Sequence, residues 1–389
     1  MPVAKPELLY LSPVVPALTG NGLAMRAGMV LEALSSRYSV SLVVVKLYTS
    51  PDHDVPEYFA RICRRCAVAG ITGANSWRIW RRQQTVLGEV LRVYKQLSFE
   101  VIHVFRLAML PFAQPFVQAF PSARCDLDLD DIESLTHDRI ARLADSNSDD
   151  EVASSERRAA DCSRSMEQRA CAQFNRMYVC SQEDKDRFLN LHARTDVRVL
   201  PNAVRIAKPL PGSPNAPFSL LFVGTLGYYP NEDAALYLCR ELVTRLRKRT
   251  SRTFEVRIVG TGTSVRLRQA AAEAGADVTG FVRDMRRAYE RAAMLVVPIR
   301  AAGGTRIKIL EAWSYGRPVI ASPIGIEGLA ARHDEHALIA DNPDLFADSC
   351  LRLMEDAELS KRLIENSHSL VASLYSAEVL KRTIGALDD

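Results

Sequence analysis

Short apolar runs alternate with amphipathic stretches along most of the chain, and this alternation constrains the fold more than any other feature of the sequence. The apolar runs are rich in β-branched residues and short enough to be buried strands, whereas the stretches between them have the spacing of helices. Strand and helix in repetition predict an α/β protein with doubly wound parallel sheets. The predicted strands are residues 8–11, 40–45, 101–105, 127–130, 177–180 and 197–200 in the first half, and 219–223, 254–259, 278–282, 294–297, 319–321 and 337–339 in the second.

A proline-rich segment divides the chain into two such series. Five prolines fall within residues 201–217, a density that excludes a helix or a central strand and indicates a linker. Since 389 residues suffice for two domains, we expect an N-terminal domain over residues 1–205 and a C-terminal domain over 206–370. Residues 371–389 should form a helix that packs back towards the first domain. We expect a ligand in the cleft where the carboxyl ends of the two sheets meet.

The overall charge does not indicate nucleic-acid binding. Lys and Arg number 50 against 46 Asp and Glu, for a formal net charge of +4, whereas a nucleic-acid site needs a dense basic face. No apolar run reaches the roughly 18 residues of a membrane span, and the first residues lack a signal-peptide pattern. We therefore expect a cytoplasmic protein, or one peripheral to the inner face of the membrane.

One basic stretch is the candidate for such a membrane contact. Between Arg61 and Lys95, basic residues far outnumber acidic ones, and Trp77 and Trp80 interleave with arginines. This combination suits a helix at an anionic lipid surface. A solvated basic face whose two Trp side chains are buried explains the same pattern.

The sequence predicts neither a metal site nor a redox site. Its eight cysteines are scattered through strongly patterned segments, as expected of small apolar residues in a reducing compartment. Cys63 and Cys66 have the CxxC spacing, but no second Cys or His pair follows to complete a metal site. We read both as structural.

Glycine-rich turns follow two of the predicted strands. Gly20, Asn21 and Gly22 lead from the first strand into a helix, where backbone N–H groups and the helix dipole favour an anion. The third glycine of a dinucleotide fingerprint is replaced by Met25, and the turn over residues 260–262 lacks it as well. We expect an anion-binding turn without a nicotinamide cofactor.

The sharpest signal is the turn after the fourth predicted strand of the second half. Gly303 and Gly304 open the turn, Thr305 is predicted to cap, and an amphipathic helix follows. Arg306 and Lys308 then lie in the first helical turn, where basic residues oppose the macrodipole. A bound anion such as a diphosphate would remove this conflict.

Glu311 lies three residues beyond Lys308, so the two side chains share one side of the helix. One interpretation is a surface ion pair, worth a few tenths of a kcal/mol. In the other, Lys308 meets a phosphate and Glu311 accepts hydrogen bonds from the hydroxyls of a ribose. The glycines and the predicted cleft favour the second interpretation.

Six motifs in order extend this pattern over nearly the whole chain. They are Gly20-Asn-Gly22, Leu200-Pro-Asn202, Phe222-Val-Gly224-Thr-Leu, Val259-Gly-Thr-Gly262, Gly280-Phe-Val-Arg-Asp284, and Gly303-Gly-Thr-Arg-Ile-Lys-Ile-Leu-Glu311-Ala with Gly316-Arg-Pro318-Val-Ile-Ala. With them the chain resembles the retaining nucleotide-sugar glycosyltransferases of the GT-B fold, family 4, also called group 1. The resemblance implies two Rossmann-like domains facing a cleft, and a nucleotide diphosphate sugar as the donor.

The resemblance also implies roles for particular residues. Glu311 stands where the family has the Glu that binds the donor ribose, and Val282 stands where its backbone contacts the base. Gly224 and Thr225 begin the turn that opens the second domain. The family's first Glu, which orients the donor hexose, is replaced here by Gly303, which leaves the sugar undetermined and puts activity itself in question.

A second departure concerns the diphosphate. The turn that begins at Gly224 lacks the Arg and Lys that the family uses there. Arg306 and Lys308 are placed to supply those two cations. They stabilise the charge that develops on a leaving diphosphate, so we expect them to be catalytic without a metal ion or a cofactor.

Acceptor-side groups are expected from the first domain. Asp130 and Asp131 end a predicted strand, and one of them could orient or deprotonate an acceptor hydroxyl. A solvated acidic turn is the alternative interpretation, because the surrounding segment is rich in acids. His103 is a weaker candidate, since a lone His in a strand is more often a core residue.

The resemblance, together with these residues, implies a metal-independent hexosyltransferase. It would move a sugar, with retention, from a nucleotide diphosphate sugar to a glycan or lipid-linked acceptor, in cell-envelope polysaccharide or glycoconjugate biosynthesis. Two alternatives stay open: an epimerase or hydrolase of nucleotide sugars with the same fold, and a nonenzymatic nucleotide-sugar binding module.

Overall fold

The computed structural model describes residues 5–47, 54–69, 87–193, 196–211, 218–282 and 284–388. Within these ranges the first half of the chain forms a seven-stranded parallel sheet, in the order β3-β2-β1-β4-β5-β6-β7. Its strands are β1 (Glu7–Ser12), β2 (Ser39–Val45), β3 (Arg65–Ala69), β4 (Val101–Phe105), β5 (Arg124–Asp130), β6 (Arg176–Val179) and β7 (Val197–Val199).

The second half forms a six-stranded parallel sheet, in the order β10-β9-β8-β11-β12-β13. Its strands are β8 (Phe218–Val223), β9 (Phe254–Val259), β10 (Asp277–Thr279), β11 (Met294–Val297), β12 (Val319–Ala321) and β13 (Leu338–Ile339). Two doubly wound parallel sheets confirm the predicted fold class.

Helices connect the strands and cover the sheets. In the first half they are α1 (Gly22–Ser35), α2 (Glu57–Ile62), α3 (residues 87–94), α4 (Leu110–Ala119), α5 (Glu133–Ser146), α6 (Asp150–Gln173) and α7 (Gln182–Leu191). In the second half they are α8 (Tyr229–Tyr237), α9 (Val243–Arg249), α10 (Val265–Glu273), α11 (Met285–Glu290), α12 (Ile307–Ser314), α13 (Pro323–Ile326), α14 (Pro343–Glu355), α15 (Ala357–Leu374) and α16 (Ala377–Asp388). A 3₁₀ turn (Leu107–Met109) precedes α4, and a π-helical turn (Leu238–Leu242) joins α8 to α9.

Most predicted strands match the structure apart from shifts of one to three residues at their ends, but two differ in ways that have a physical reason. β3 was not predicted, because this edge strand begins with the half-buried Arg65 and the exposed Cys66 and so lacks a continuous apolar run. The strand predicted over residues 278–282 is wrong beyond Thr279, because Gly280 and Phe281 leave the sheet and are exposed.

The last helix belongs to the core of the first domain. Leu380 and Ile384 of α16 are buried in the apolar cluster that also contains the inner face of α1. Lys381 donates to the Glu32 carboxylate of α1 over 3.1 Å. The chain enters α16 beside the interdomain crossing, where Val204 forms an isolated bridge with Ser376.

The strand order fixes where a ligand can approach each sheet. In the first sheet, β1 lies between β2 and β4, so the loops after β1 and β4 leave in opposite directions and open a crevice at the carboxyl ends. In the second sheet, β8 lies between β9 and β11 in the same way. The glycine turn before α1 and the turns after β8 and β11 all lie at these crevices.

Candidate active site

The guanidinium of Arg306 is buried beside the start of α12. The residue is only 6% exposed, and its Nε and Nη1 have no hydrogen-bond partner within the described ranges. Nη2 donates to the carbonyl of Glu327 over 3.4 Å. Burial lowers the pKa of Arg306 from its ordinary value. A buried cation with unsatisfied donors is costly unless an anion meets it.

Thr305 does not cap α12, contrary to the prediction. The residue preceding the helix is Arg306, and it makes no side-chain capping hydrogen bond. The Thr305 hydroxyl instead accepts a hydrogen bond from Nδ2 of Asn202, over 2.9 Å. The first N–H groups of α12 therefore receive no side-chain cap from Thr305 or Arg306, and the Arg306 side chain lies beside them.

Lys308 and Glu311 lie one turn further into the same helix. Lys308 Nζ donates to Oδ1 of Asn231 over 2.9 Å and lies 4.9 Å from the centre of the Phe222 ring. Burial, with the neighbouring charge of Arg306, lowers the pKa of Lys308 to about 7. Burial raises the pKa of Glu311 to about 8, although Lys308 opposes this shift. Glu311 is buried and Lys308 half-buried, so the surface ion pair is wrong.

The turn before α1 meets the second domain at this point. Gly20 has φ +99°, a left-handed conformation that favours glycine, and Asn21 caps α1 by accepting from the amide of Ala24. Asn21 Nδ2 also reaches the Thr225 hydroxyl of the other domain over 3.4 Å. A Cβ on Gly22 would lie 3.8 Å from Ile307. The N-termini of α1 and α12 thus approach each other across the cleft.

Asn231 supports both Lys308 and the turn after β8. Its Nδ2 donates to the carbonyl of Thr225 over 3.0 Å, while its Oδ1 accepts from Lys308. A Cβ on Gly224 would lie 2.8 Å from Asn231 Cγ, so glycine is required for this approach. The pattern did not single out this residue, since an Asn after Pro at a helix start has no distinctive signature.

The Gly303–Gly304 turn touches the first domain directly. A Cβ on Gly303 would lie 1.9 Å from the hydroxyl oxygen of Thr136 and 2.6 Å from Oδ2 of Asp131. Gly304 has φ +62°, and its Cβ would lie 3.1 Å from Asp131 Cβ. The turn therefore needs both glycines, one for close approach and one also for its backbone conformation.

Asp130 and Asp131 have different surroundings. Asp130 has φ +66°, lies 3.4 Å from Nε of Arg26 and accepts from Asn202; burial raises its pKa to about 6. Burial also opposes ionisation of Asp131, but Arg106 and the Thr136 hydroxyl bind its carboxylate and lower its pKa.

Arg106 and Asp130 lie at the carboxyl ends of two central strands, β4 and β5, and both have a strained backbone conformation. Arg106 follows β4 with φ +74°, and it pairs with Asp131 and with Glu133. Positive φ at two neighbouring non-glycine positions costs about 1–3 kcal/mol each, and such strain often marks a functional site. Sequence reasoning missed the role of Arg106 because backbone strain leaves no pattern in the residues.

Val282 is the residue whose backbone is expected to contact the base. It is half-buried against the core of the second domain, and Phe281 before it is 57% exposed. Burial raises the pKa of Tyr315 on α12's C-terminal side, and the charges of Glu311 and Asp284 raise it further.

Three other candidates lie outside this cleft. His103 is buried between the rings of Tyr10 and Tyr178, at centroid distances of 5.3 and 5.7 Å, so it is a core residue. Cys63 is buried and Cys66 exposed, and no cluster of metal-ligating side chains occurs among the residues that the structure describes.

The membrane hypothesis falls largely outside the structure. Trp77, Trp80 and the adjacent Arg78, Arg81 and Arg82 lie in residues 70–86, outside the described ranges. None of the helices in the described parts of the chain is long and apolar enough to cross a membrane.

Comparisons with known proteins agree with this architecture. A sucrose-phosphate synthase from Thermosynechococcus elongatus superposes with a TM-score of 0.77 over 98% of both chains, at 16% identity. Anabaena HepE in complex with UDP-glucose superposes with a TM-score of 0.71 over 98% of both chains, at 13% identity. A variant of S. aureus TarM in complex with Fondaparinux, α-GlcNAc-glycerol and UDP gives 0.69 over 98% of this chain and 99% of its own, at 9% identity. The chain therefore has the GT-B fold.

The family comparison covers the second domain. Residues 217–356 match the family model described as Glycosyl transferases group 1. The curated proteins contain no match to the sequence. The matched domain and the shared fold together support a glycosyltransferase.

Proposed function

We propose that this protein transfers a hexose from a nucleotide diphosphate sugar to a hydroxyl of a glycan or lipid-linked acceptor, with retention, as a family 4 enzyme would. The observation that carries the proposal is the buried Arg306, whose Nε and Nη1 have no partner within the described ranges. It lies at the open N-terminus of α12, beside Lys308. A diphosphate would satisfy the guanidinium and the helix N–H groups together.

The reaction needs charge stabilisation at the leaving group. The bond between the anomeric carbon and the diphosphate oxygen breaks while the acceptor oxygen bonds to the same carbon, and negative charge grows on the diphosphate. Arg306, Lys308 and the N–H groups of α12 stabilise that charge, and the Gly20–Gly22 turn closes the site from the other domain. Under retention the acceptor approaches on the face of the leaving group, so a phosphate oxygen accepts the hydroxyl proton.

Asp130 and Asp131 would have different roles on the acceptor side of the site. Asp131 is held ionised by Arg106 and Thr136 and touches the Gly303 turn, so it suits a hydrogen-bond acceptor that orients a substrate hydroxyl. Asp130 has a pKa of about 6 and faces Arg26 and Asn202. Its role in this proposal is to hold the turn that presents Asp131.

The nucleoside would lie along α12. Glu311 would accept hydrogen bonds from the ribose hydroxyls, which favour the carboxylate and so lower its pKa from about 8. The backbone near Val282 would contact the base. HepE was solved with UDP-glucose, and the TarM variant with UDP, which supports a UDP-sugar as the first donor to test.

The chain's own cations make a metal ion unnecessary in this proposal. Transfer should therefore persist in EDTA at a concentration that removes Mg²⁺ and Mn²⁺. We further propose that the protein acts in the cytoplasm or at the inner face of the membrane, in envelope polysaccharide or glycoconjugate synthesis.

A donor panel tests the activity. Purified protein is incubated with UDP-, GDP- and dTDP-sugars, with and without glycan and lipid-linked acceptors, and both nucleotide release and transfer are measured. The proposal expects release that increases with an acceptor and yields an α- or β-linkage matching the donor anomer. Binding without release from any donor would indicate a binding module, and release or epimerisation without transfer would indicate the other alternative.

A further inference from the structure

Helix α5 of the first domain lies along the loop that joins β11 to α12 in the second. Ile140 and Leu143 form a small apolar cluster with Ala301 of that loop, and Tyr229 packs against it. Ile140 and Leu143 are three positions apart, on one face of α5. Helix α5 of the first domain thus packs against the loop of the second domain that carries the Gly303–Gly304 turn.

Hydrogen bonds flank this apolar contact on both sides. At the C-terminal end of α5, Asn147 Nδ2 donates to Oδ1 of Asp233 over 2.8 Å, and Arg300 Nη2 donates to Oδ1 of Asn147 over 3.0 Å. Further back along α5, Arg139 Nη1 donates to the carbonyl of Ala302 over 2.7 Å. The carbonyl that immediately precedes Gly303 is therefore held by a side chain of the other domain.

Arg139 also forms a two-pronged ion pair with Glu327. Its Nη1 and Nη2 donate to the two carboxylate oxygens of Glu327 over 2.8 and 3.2 Å. Arg187 of α7 donates to the same carboxylate over 2.6 Å. The Arg139 and Glu327 side chains are 18% and 19% exposed, so this pair is shielded more than a surface ion pair.

Glu327 connects this interdomain pair to the anion site. Its backbone carbonyl accepts the hydrogen bond from Nη2 of Arg306. Gly328 follows with φ +77°, and a Cβ there would lie 2.7 Å from Thr305 and 3.1 Å from Ser181 of the first domain. The turn at Gly328 is thus packed between residues of both domains, and this packing restricts its movement.

We propose that Arg139 is a positioning residue: through Glu327 and the Ala302 carbonyl it sets the Arg306 guanidinium and the Gly303–Gly304 turn for a diphosphate. This inference rests on the proposed function, because it assumes that the anion at Arg306 is a nucleotide diphosphate.

A double-mutant cycle separates positioning from general support of the fold. Arg139→Ala, Arg306→Ala and the double variant are titrated by calorimetry with whichever of UDP, GDP and dTDP the unmodified protein binds most tightly. Arg142→Ala is the matched control, since Arg142 lies on the same helix and is exposed. Glu327→Gln keeps the size of the side chain and provides a second variant if Arg139→Ala folds poorly, as judged by its melting temperature.

If Arg139 acts through Arg306, Arg139→Ala and Glu327→Gln weaken binding about tenfold, and Arg142→Ala leaves it unchanged. In the Arg306→Ala background, Arg139→Ala should cause little further loss, because the group it positions is gone. Unchanged affinity in Arg139→Ala and Glu327→Gln, or losses that simply multiply in the double variant, would overturn this inference alone. Unchanged affinity in Arg306→Ala would overturn the proposed diphosphate site, and the inference with it.

Discussion

Arg306 illustrates how one residue can be unfavourable for the empty fold and favourable for a ligand. Its buried guanidinium keeps Nε and Nη1 without partners in the part of the chain that the structure describes. Arg306→Met should raise the free energy of unfolding by about 1–3 kcal/mol, the cost of an unsatisfied buried polar group. The same substitution should weaken nucleoside diphosphate binding by about 1.5–3 kcal/mol. Denaturant titration and calorimetry measure both; a variant that is less stable and binds normally would contradict this account.

Lys308 gives the site a dependence on pH. Its pKa in the empty site is about 7, so the ammonium is present below that pH, and a diphosphate must draw in a proton above it. Wild-type affinity relative to Lys308→Arg should therefore fall roughly tenfold between pH 6 and pH 8, because the guanidinium stays charged. Taking this ratio cancels the titration of Glu311. A constant ratio across calorimetric titrations at several pH values would show that Lys308 does not meet the diphosphate.

The site residues that the sequence singled out differ from those that it did not in how local their evidence is. Arg306, Lys308 and Glu311 lie within one helical turn and a half, where spacing and the helix dipole point to an anion. Asn231 contacts Lys308 across 77 positions, and Arg26 contacts Asp128 across 102. Such pairings depend on the packing of two sheets and have no signature in a local window.

At the scale of elements, strand and helix types followed from the apolar pattern, while termini depended on tertiary contacts. Central strands such as β4, β11 and β12 match their predicted residues because they are buried on both faces. The prediction that Thr305 caps α12 was wrong because Asn202, from the other domain, donates a hydrogen bond to the Thr305 hydroxyl. A capping pattern alone does not show that competing partner.

The Gly303 turn allows a direct test of interdomain contact. A methyl group at Gly303 would lie 1.9 Å from the Thr136 oxygen and must push the domains apart locally. Gly303→Ala should therefore lower the free energy of unfolding by about 1–3 kcal/mol, the usual cost of overpacking, and weaken donor binding at the displaced turn. Gly385→Ala in α16 is the control, since a Cβ there meets nothing within 4 Å. Equal nucleotide affinity of both variants would mean that the turn does not need this close approach.

At the scale of the whole molecule, a buried polar network joins the two domains. Arg26 is 1% exposed and pairs with Asp128 over 2.7 Å, and its Nη1 donates to Asn202 Oδ1. Asn202 in turn reaches Thr305 of the second domain. The expectation of two domains and a cleft followed from repetition and prolines, but this connection depends on residues that only the folded chain brings together.

Removing one charge from that network should destabilise the protein. Asp128→Asn leaves the Arg26 guanidinium without its main counter-charge, which typically costs about 3–5 kcal/mol. The exposed pair of Asp161 with Arg164 provides a control, because Asp161→Asn should change stability by less than about 0.5 kcal/mol. Chemical denaturation compares the two, and a small effect at Asp128 would mean that the network contributes little to the joined domains.

The central claim is that a nucleotide diphosphate binds between Arg306 and the N-terminus of α1. A crystal structure with the tightest-binding nucleoside diphosphate tests this most directly. We predict a phosphate oxygen within about 3 Å of Arg306 Nε or Nη1, with the Gly20–Gly22 turn closing over the diphosphate and the ribose at Glu311. A diphosphate bound elsewhere, with Nε and Nη1 of Arg306 still lacking a partner, would contradict the account.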